Sequence, residues 1–69
     1  MTFALWVDQQ GGVSAAARLL GVSQPTVWYW YKAQRVPRPN YKKKITKIAA
    51  QNIDFSELEA QWLAAKEQK

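Results

Sequence analysis

The chain has 69 residues, ten basic and five acidic side chains for a net charge of +5, and neither cysteine nor histidine. That length makes one small domain, burying only roughly 60% of its unfolded surface, so its core is marginal. The composition excludes disulfides and thiolate zinc sites and removes the commonest metal ligand and acid–base group, which argues against an enzyme and against any cofactor.

Thr2 to Gln10 reads as a short helix: Thr2 caps it, Phe3, Trp6 and Val7 share a stripe, and Gly11-Gly12 end it. Val13, Ala16, Ala17 and Leu20 define a second helix that stops at Gly21. Ser23-Gln24-Pro25 is a helix-start signal, a capping hydroxyl followed by proline in the first turn. This third helix is expected to run to Ala33 or Gln34, until Val36-Pro37-Arg38-Pro39 breaks it. A fourth helix starts at or just before Asn40, with Tyr41, Ile45, Ile48 and Ala49 on one face and Lys43, Lys44 and Lys47 on the other. Asn52-Ile53-Asp54 interrupts it, and Asn52 to Phe55 alternates too briefly for a strand. Asp54 with Glu57 forms an acidic capping box for a last helix lined by Phe55, Leu58 and Trp62, fraying after Ala65. The expected fold is all-α: a compact bundle of about five short helices. Residues 1–51 form its core and 52–69 a C-terminal helix for packing or dimerisation, within one domain.

Only Gly21-Val22-Ser23 separates the second and third helices, and a tight glycine-containing turn between short helices is the helix-turn-helix arrangement. Its packing needs are met together: a small residue midway along the first helix (Ala17), glycine at the turn (Gly21), an apolar residue after it (Val22), and apolar Val27 and Trp30 beyond. At about 100° per residue, Val27, Trp30, Tyr31 and Gln34 of the third helix fall together, and Pro25, Trp28, Tyr29 and Lys32 fall opposite. An exposed Trp-Tyr pair on a helix that buries its other side marks an interaction surface.

The run Gly12 to Val27 resembles phage Cro-type repressors and is similar to YdaS-like regulators, which share the pattern A-A-x-x-L-G-V-S-Q-P-x-V followed by a tryptophan and a V-P turn. Ala16 to Val27, Trp30 and Val36-Pro37 stand at those places. The resemblance covers roughly residues 2–50 and implies a lambda-repressor-like fold and a transcriptional regulator. Such a protein is usually a dimeric repressor of phage or mobile-element origin, or a small-operon autoregulator such as an anti-CRISPR-associated repressor. It would bind a palindromic double-stranded operator in the bacterial cytoplasm, at the nucleoid.

In such a unit the start of the second helix enters the major groove. Gln24 is the expected base reader, since its amide matches adenine N6 and N7. Pro25, Thr26, Trp28, Tyr29 and Lys32 complete the base-contact set, with thymine methyls or phosphates open to Thr26, Trp28 and Tyr29. Phosphate contacts are expected from Ser14 at a helix start, from Ser23 beyond its capping duty, and from Arg35, Arg38, Lys42, Lys43, Lys44 and Lys47. The charge is distributed accordingly. Residues 1–48 carry eight basic side chains against Asp8 alone, a net +7, whereas residues 49–69 carry a net −2. Arg18 is equally a phosphate contact or a solvated residue, and Lys66 and Lys69 read as solvated tail residues.

The apolar stripe of the last helix either packs back on the bundle or forms a homodimer interface, with Phe55, Leu58 and Trp62 the first choices and Trp6 behind them. Three rivals compete. A membrane-active peptide would use the Trp and Lys content, but the tryptophans sit in separately capped helices. The apolar run Val27 to Tyr31, which no other exceeds, is also far short of the ~20 residues of a membrane span, and Asp8 interrupts a would-be signal peptide. A protein-interaction module, an antitoxin or antirepressor on a helix-turn-helix scaffold, would turn Trp28 and Tyr29 toward a protein partner. An enzyme lacks both convergent acid–base groups and the volume for a small-molecule pocket.

Overall fold

The computed structural model describes residues 1–67 as five helices: α1 (Phe3–Gln9), α2 (Val13–Leu20), α3 (Gln24–Tyr31), α4 (Pro39–Ala49) and α5 (Ser56–Glu67). No strand is present among the described residues, and no helix there is long and apolar enough to cross a membrane. The all-α bundle is as expected.

Local signals set most of the boundaries. The Thr2 hydroxyl accepts from the Leu5 amide at 3.2 Å and starts α1. α2 ends in a Schellman motif: the Gly21 amide donates to the Arg18 carbonyl and the Val22 amide to the Ala17 carbonyl. Gly21 is left-handed there, at φ 68°, which glycine adopts without a Cβ penalty. Ser23 caps α3 by accepting from the Thr26 amide, with Pro25 in the first turn. Pro39 opens α4 in the same way.

Two boundaries differ from expectation. α3 stops at Tyr31 rather than Ala33 or Gln34, because it closes with a second Schellman motif in which Ala33, at φ 57°, takes the place glycine usually fills. The Ala33 amide donates to Trp30 and the Gln34 amide to Tyr29. Ala33 is buried, so tertiary packing holds it in a conformation its Cβ disfavours. At α5 the capping box is replaced by an Asx turn made by the same Asp54. The Asp54 carboxylate accepts from the Ser56 amide at 2.8 Å, while Glu57 accepts from Gln61 instead. A capping box would need the Asp54 amide for Glu57, and that amide already donates to the Met1 carbonyl at 2.7 Å. The alternation over residues 52–55 thus resolves into a single parallel bridge between Thr2 and Asp54, with Ile53 and Phe55 turned inward. α5 continues to Glu67, past the expected fraying point.

One hydrophobic cluster joins the helices, with Leu20, Val27, Val7 and Ile45 among its most enclosed side chains. Phe3 is its aromatic hub: its ring lies 6.1 Å from Trp6, 6.2 Å from Trp30 and 6.0 Å from Phe55, tying α1, α3 and the approach to α5 together. Ala16 and Ala17 of α2 are buried. All five packing positions expected of the turn unit are occupied as expected, Val22 half-buried and the others apart from the turn glycine fully inside.

This packing corrects the expected subunit interface. Phe55 (9% exposed) and Leu58 (8%) belong to the chain's own core, and Trp6 is buried in it too. Trp62 alone of the four keeps partly open surface, next to Leu63, which is 50% exposed.

Candidate nucleic-acid interface

α3 buries Val27 and Trp30 and turns Gln24, Pro25, Trp28, Tyr29 and Lys32 outward. The angular division read from the sequence holds for these residues. Gln34, expected on the inner face, is exposed because the Schellman turn carries it off the helix. Tyr31 stays half-buried, and its hydroxyl donates to Asp8 Oδ1 at 2.8 Å, linking α3 to α1. That hydrogen bond, with the nearby carboxylate charge, raises the Tyr31 pKa above the ordinary tyrosine value.

The outward aromatic pair has a defined shape. Trp28 (39% exposed) and Tyr29 (36%) meet edge-to-face, with ring centroids 5.4 Å apart and planes at 76°. The turn after α3 then brings a cation to the pair. The Gln34 and Arg35 amides both donate to the Tyr29 carbonyl, and the Arg35 guanidinium lies over the Tyr29 ring, 5.0 Å from its centroid. Pro25, Thr26, Tyr29, Arg35 and Arg38 line one open cleft with Val36, Trp30 and Tyr41. The fold therefore gathers three of the expected base readers and two of the expected phosphate residues in one place. Thr26 is half-buried, with its hydroxyl held to the Ser23 hydroxyl at 2.7 Å.

Other expected contacts are dispersed. Lys32 lies over the Tyr31 ring at 5.8 Å and lines a groove toward Trp62 and Lys66 of α5. Lys42 is ion-paired with Glu59 of α5 and lies 5.7 Å from the Phe55 ring centroid. Its charge is thus already partnered within the chain. Lys43 and Lys47 are exposed on α4 and border a groove beside Ile53 and Phe55, away from the α3 cleft. Lys44 lies at the turn instead: a Cβ placed on Gly21 would stand 3.6 Å from its ammonium. A cation there complements the C-terminal end of α2. Ser14 is exposed in the first turn of α2, where Gly12 supplies no side-chain cap to the free N–H groups. Arg18 is exposed in the last turn of α2. Lys66 lies 4.7 Å from the Trp62 ring centroid, and Lys69 falls outside the described residues.

Two features of the site were missed in the sequence. Tyr41, assigned to the inner stripe of α4, is half-buried and lines the cleft, its ring 5.5 Å from Trp30. The stacking of Arg35 on Tyr29 depends on the reversal at Ala33, for which the usual glycine signal is missing. Among the described residues no three carboxylates come together as a metal-ligand set. No protein-family model, curated protein or solved structure matches the chain.

Proposed function

We propose that the chain is a sequence-specific double-stranded DNA-binding regulator that places α3 in the major groove and acts as a homodimer. The observation that carries the proposal is the outward face of α3. Two large aromatic side chains, each more than a third exposed, stand on a helix whose opposite face buries Val27 and Trp30, with Arg35 and Arg38 at their side. Leaving that much apolar surface exposed in so small a domain has a physical rationale if the surface meets a partner. A polyanion is favoured because residues 1–48 carry a net +7. Gln24, exposed at the first position of α3, is the amide that would read adenine, and Ser14 and Arg38 would fix the register on phosphates.

The resemblance of Ala16 to Val27 to Cro-type repressors favours a repressor of phage or mobile-element origin, working in the cytoplasm. A two-fold dimer would present its two α3 helices about 34 Å apart, one turn of duplex. Each chain measures 34 × 22 × 20 Å, which accommodates that spacing with two copies side by side. Trp62 and Leu63 on α5 supply the apolar surface for the pairing.

The test is selection of bound duplexes from a random pool, followed by anisotropy titration of the enriched duplex. Wild type is expected to enrich an inverted repeat. Gln24→Ala should lose about 1–3 kcal/mol on it and tolerate substitution at one base position per half-site. If folded Gln24→Ala and Tyr29→Ala variants bind the duplex as wild type does, α3 is not the reading face. The aromatic pair then belongs to a protein–protein contact.

A further inference from the structure

We infer that the outward face of α3 is a reader of pyrimidine C5-methyl groups, so that the preferred half-site contains thymines packed on the Trp28–Tyr29 pair beside an adenine read by Gln24. The inference rests on the duplex-reading proposal and narrows it to a class of base step.

A base edge in the major groove offers three kinds of handle: acceptors on guanine, a donor on cytosine, and on A·T pairs the adenine N6/N7 couple with the thymine methyl. Cytosine N4 is best met by a carboxylate, yet no aspartate or glutamate occurs between Asp8 and Asp54. Guanine is best met by a free guanidinium or ammonium. Arg35 lies over the Tyr29 ring at 5.0 Å and Lys32 over the Tyr31 ring at 5.8 Å, the latter toward α5. The Thr26 hydroxyl is shared with Ser23. What α3 itself turns outward is the aromatic surface of Trp28 and Tyr29, fixed by the 76° edge-to-face contact and with Arg35 on one side of the Tyr29 ring, together with the exposed Gln24 amide one turn earlier. Aromatic surface beside one amide suits an A·T step, which offers the thymine methyl next to the adenine N6/N7 edge. The +7 charge of residues 1–48 supplies the attraction to the duplex that an apolar face alone would not.

The experiment uses the full chain and the duplex enriched by selection, with each thymine replaced in turn by deoxyuridine, which removes the methyl and leaves the pairing intact. Wild type is expected to bind about fourfold more weakly for each contacted methyl removed. In a Trp28→Ala, Tyr29→Ala double variant, whose changes fall on exposed positions, the deoxyuridine penalty should vanish. Replacing a contacted T·A pair by 5-methylcytosine·guanine should bind more tightly than cytosine·guanine at that place. Equal affinity for thymine and deoxyuridine duplexes overturns the inference while leaving duplex reading intact, as does a penalty that survives in the double variant. Enrichment of no duplex, or tighter binding to the separated strands, overturns both, the second by showing that the rings stack on bases.

Discussion

Phe55→Ala separates the two roles open to the C-terminal helix. The Phe55 ring is 9% exposed, stacks on Phe3 at 6.0 Å and carries Lys42 over its face. Truncating an enclosed phenylalanine costs about 3–5 kcal/mol; the position at the edge of the core sets the expectation near the lower end, about 3 kcal/mol. A domain of this size has roughly 3–10 kcal/mol in total, so the loss is a large share of it. Leu58→Ala, at the same edge, should cost about 2 kcal/mol and keep more of the fold. The assay is urea unfolding followed by tryptophan fluorescence over roughly a hundredfold range of protein concentration. The difference between wild type and variant should be the same at every concentration, since the lost contacts lie within one chain. A difference that disappears on dilution would return Phe55 to a subunit interface and refute the packing described above.

Further expectations concern the turns, the charges and pH. Gly21→Ala should destabilise by about 1 kcal/mol, because its φ of 68° is unfavourable to an L residue while the added Cβ meets only the Lys44 ammonium at 3.6 Å. Ala50→Gly should do the reverse: Ala50 is exposed at φ 57°, and relief of about 1–2 kcal/mol of left-handed strain exceeds the added entropy of the unfolded chain, for a net gain of about 0.5–1 kcal/mol in thermal or urea unfolding. Arg38→Ala should reduce the slope of log affinity against log salt by about 0.9 per protomer, whereas Lys42→Ala, removing a charge already paired with Glu59, should leave that slope unchanged. Equal slopes for these two variants would contradict the division of the basic residues. On pH, the raised Tyr31 pKa means its contribution is complete below the ordinary tyrosine value near 10 and is lost as pH rises through the higher folded value. Asp54, lowered by its hydrogen bonds from Ser56, contributes fully above the ordinary aspartate range and loses that contribution as pH falls through its folded value. Tyr31→Phe should remove the alkaline component and Asp54→Asn the acid one from the pH dependence of the urea midpoint; an unchanged profile in either variant would refute the corresponding contact.

The parts of the fold legible in the sequence are those set by local chemistry. α2 is bounded as expected because Gly12 and Gly21 fall where side chains would be strained, and α3 begins as expected because Ser23 and Pro25 leave few alternatives. Its end was hidden because the left-handed residue is an alanine, held there by burial that no local signal records. The same reversal stacks Arg35 on Tyr29, so the most organised part of the candidate site was the least legible. The outward face of α3 followed from angular spacing alone, whereas the fate of the α4 lysines depended on which neighbour each one meets: Glu59 for Lys42, the α2 terminus for Lys44, and solvent for Lys43 and Lys47. Phe55 and Leu58 were ambiguous for a related reason. An apolar stripe on a terminal helix looks the same whether its partner is the same chain or another, and Phe3 decides it here.

The central proposal, that α3 and the turn after it are the duplex-binding face, is tested most directly by titrating isotope-labelled protein with its selected duplex and mapping amide and indole chemical-shift changes. Changes are expected on Gln24 to Lys32, on Ser14, and on Arg35 and Arg38, with the Trp28 indole shifted and the buried Trp6 indole still. Changes centred on α5 or on the exposed face of α1, with the Trp28 and Tyr29 signals unmoved, would contradict it.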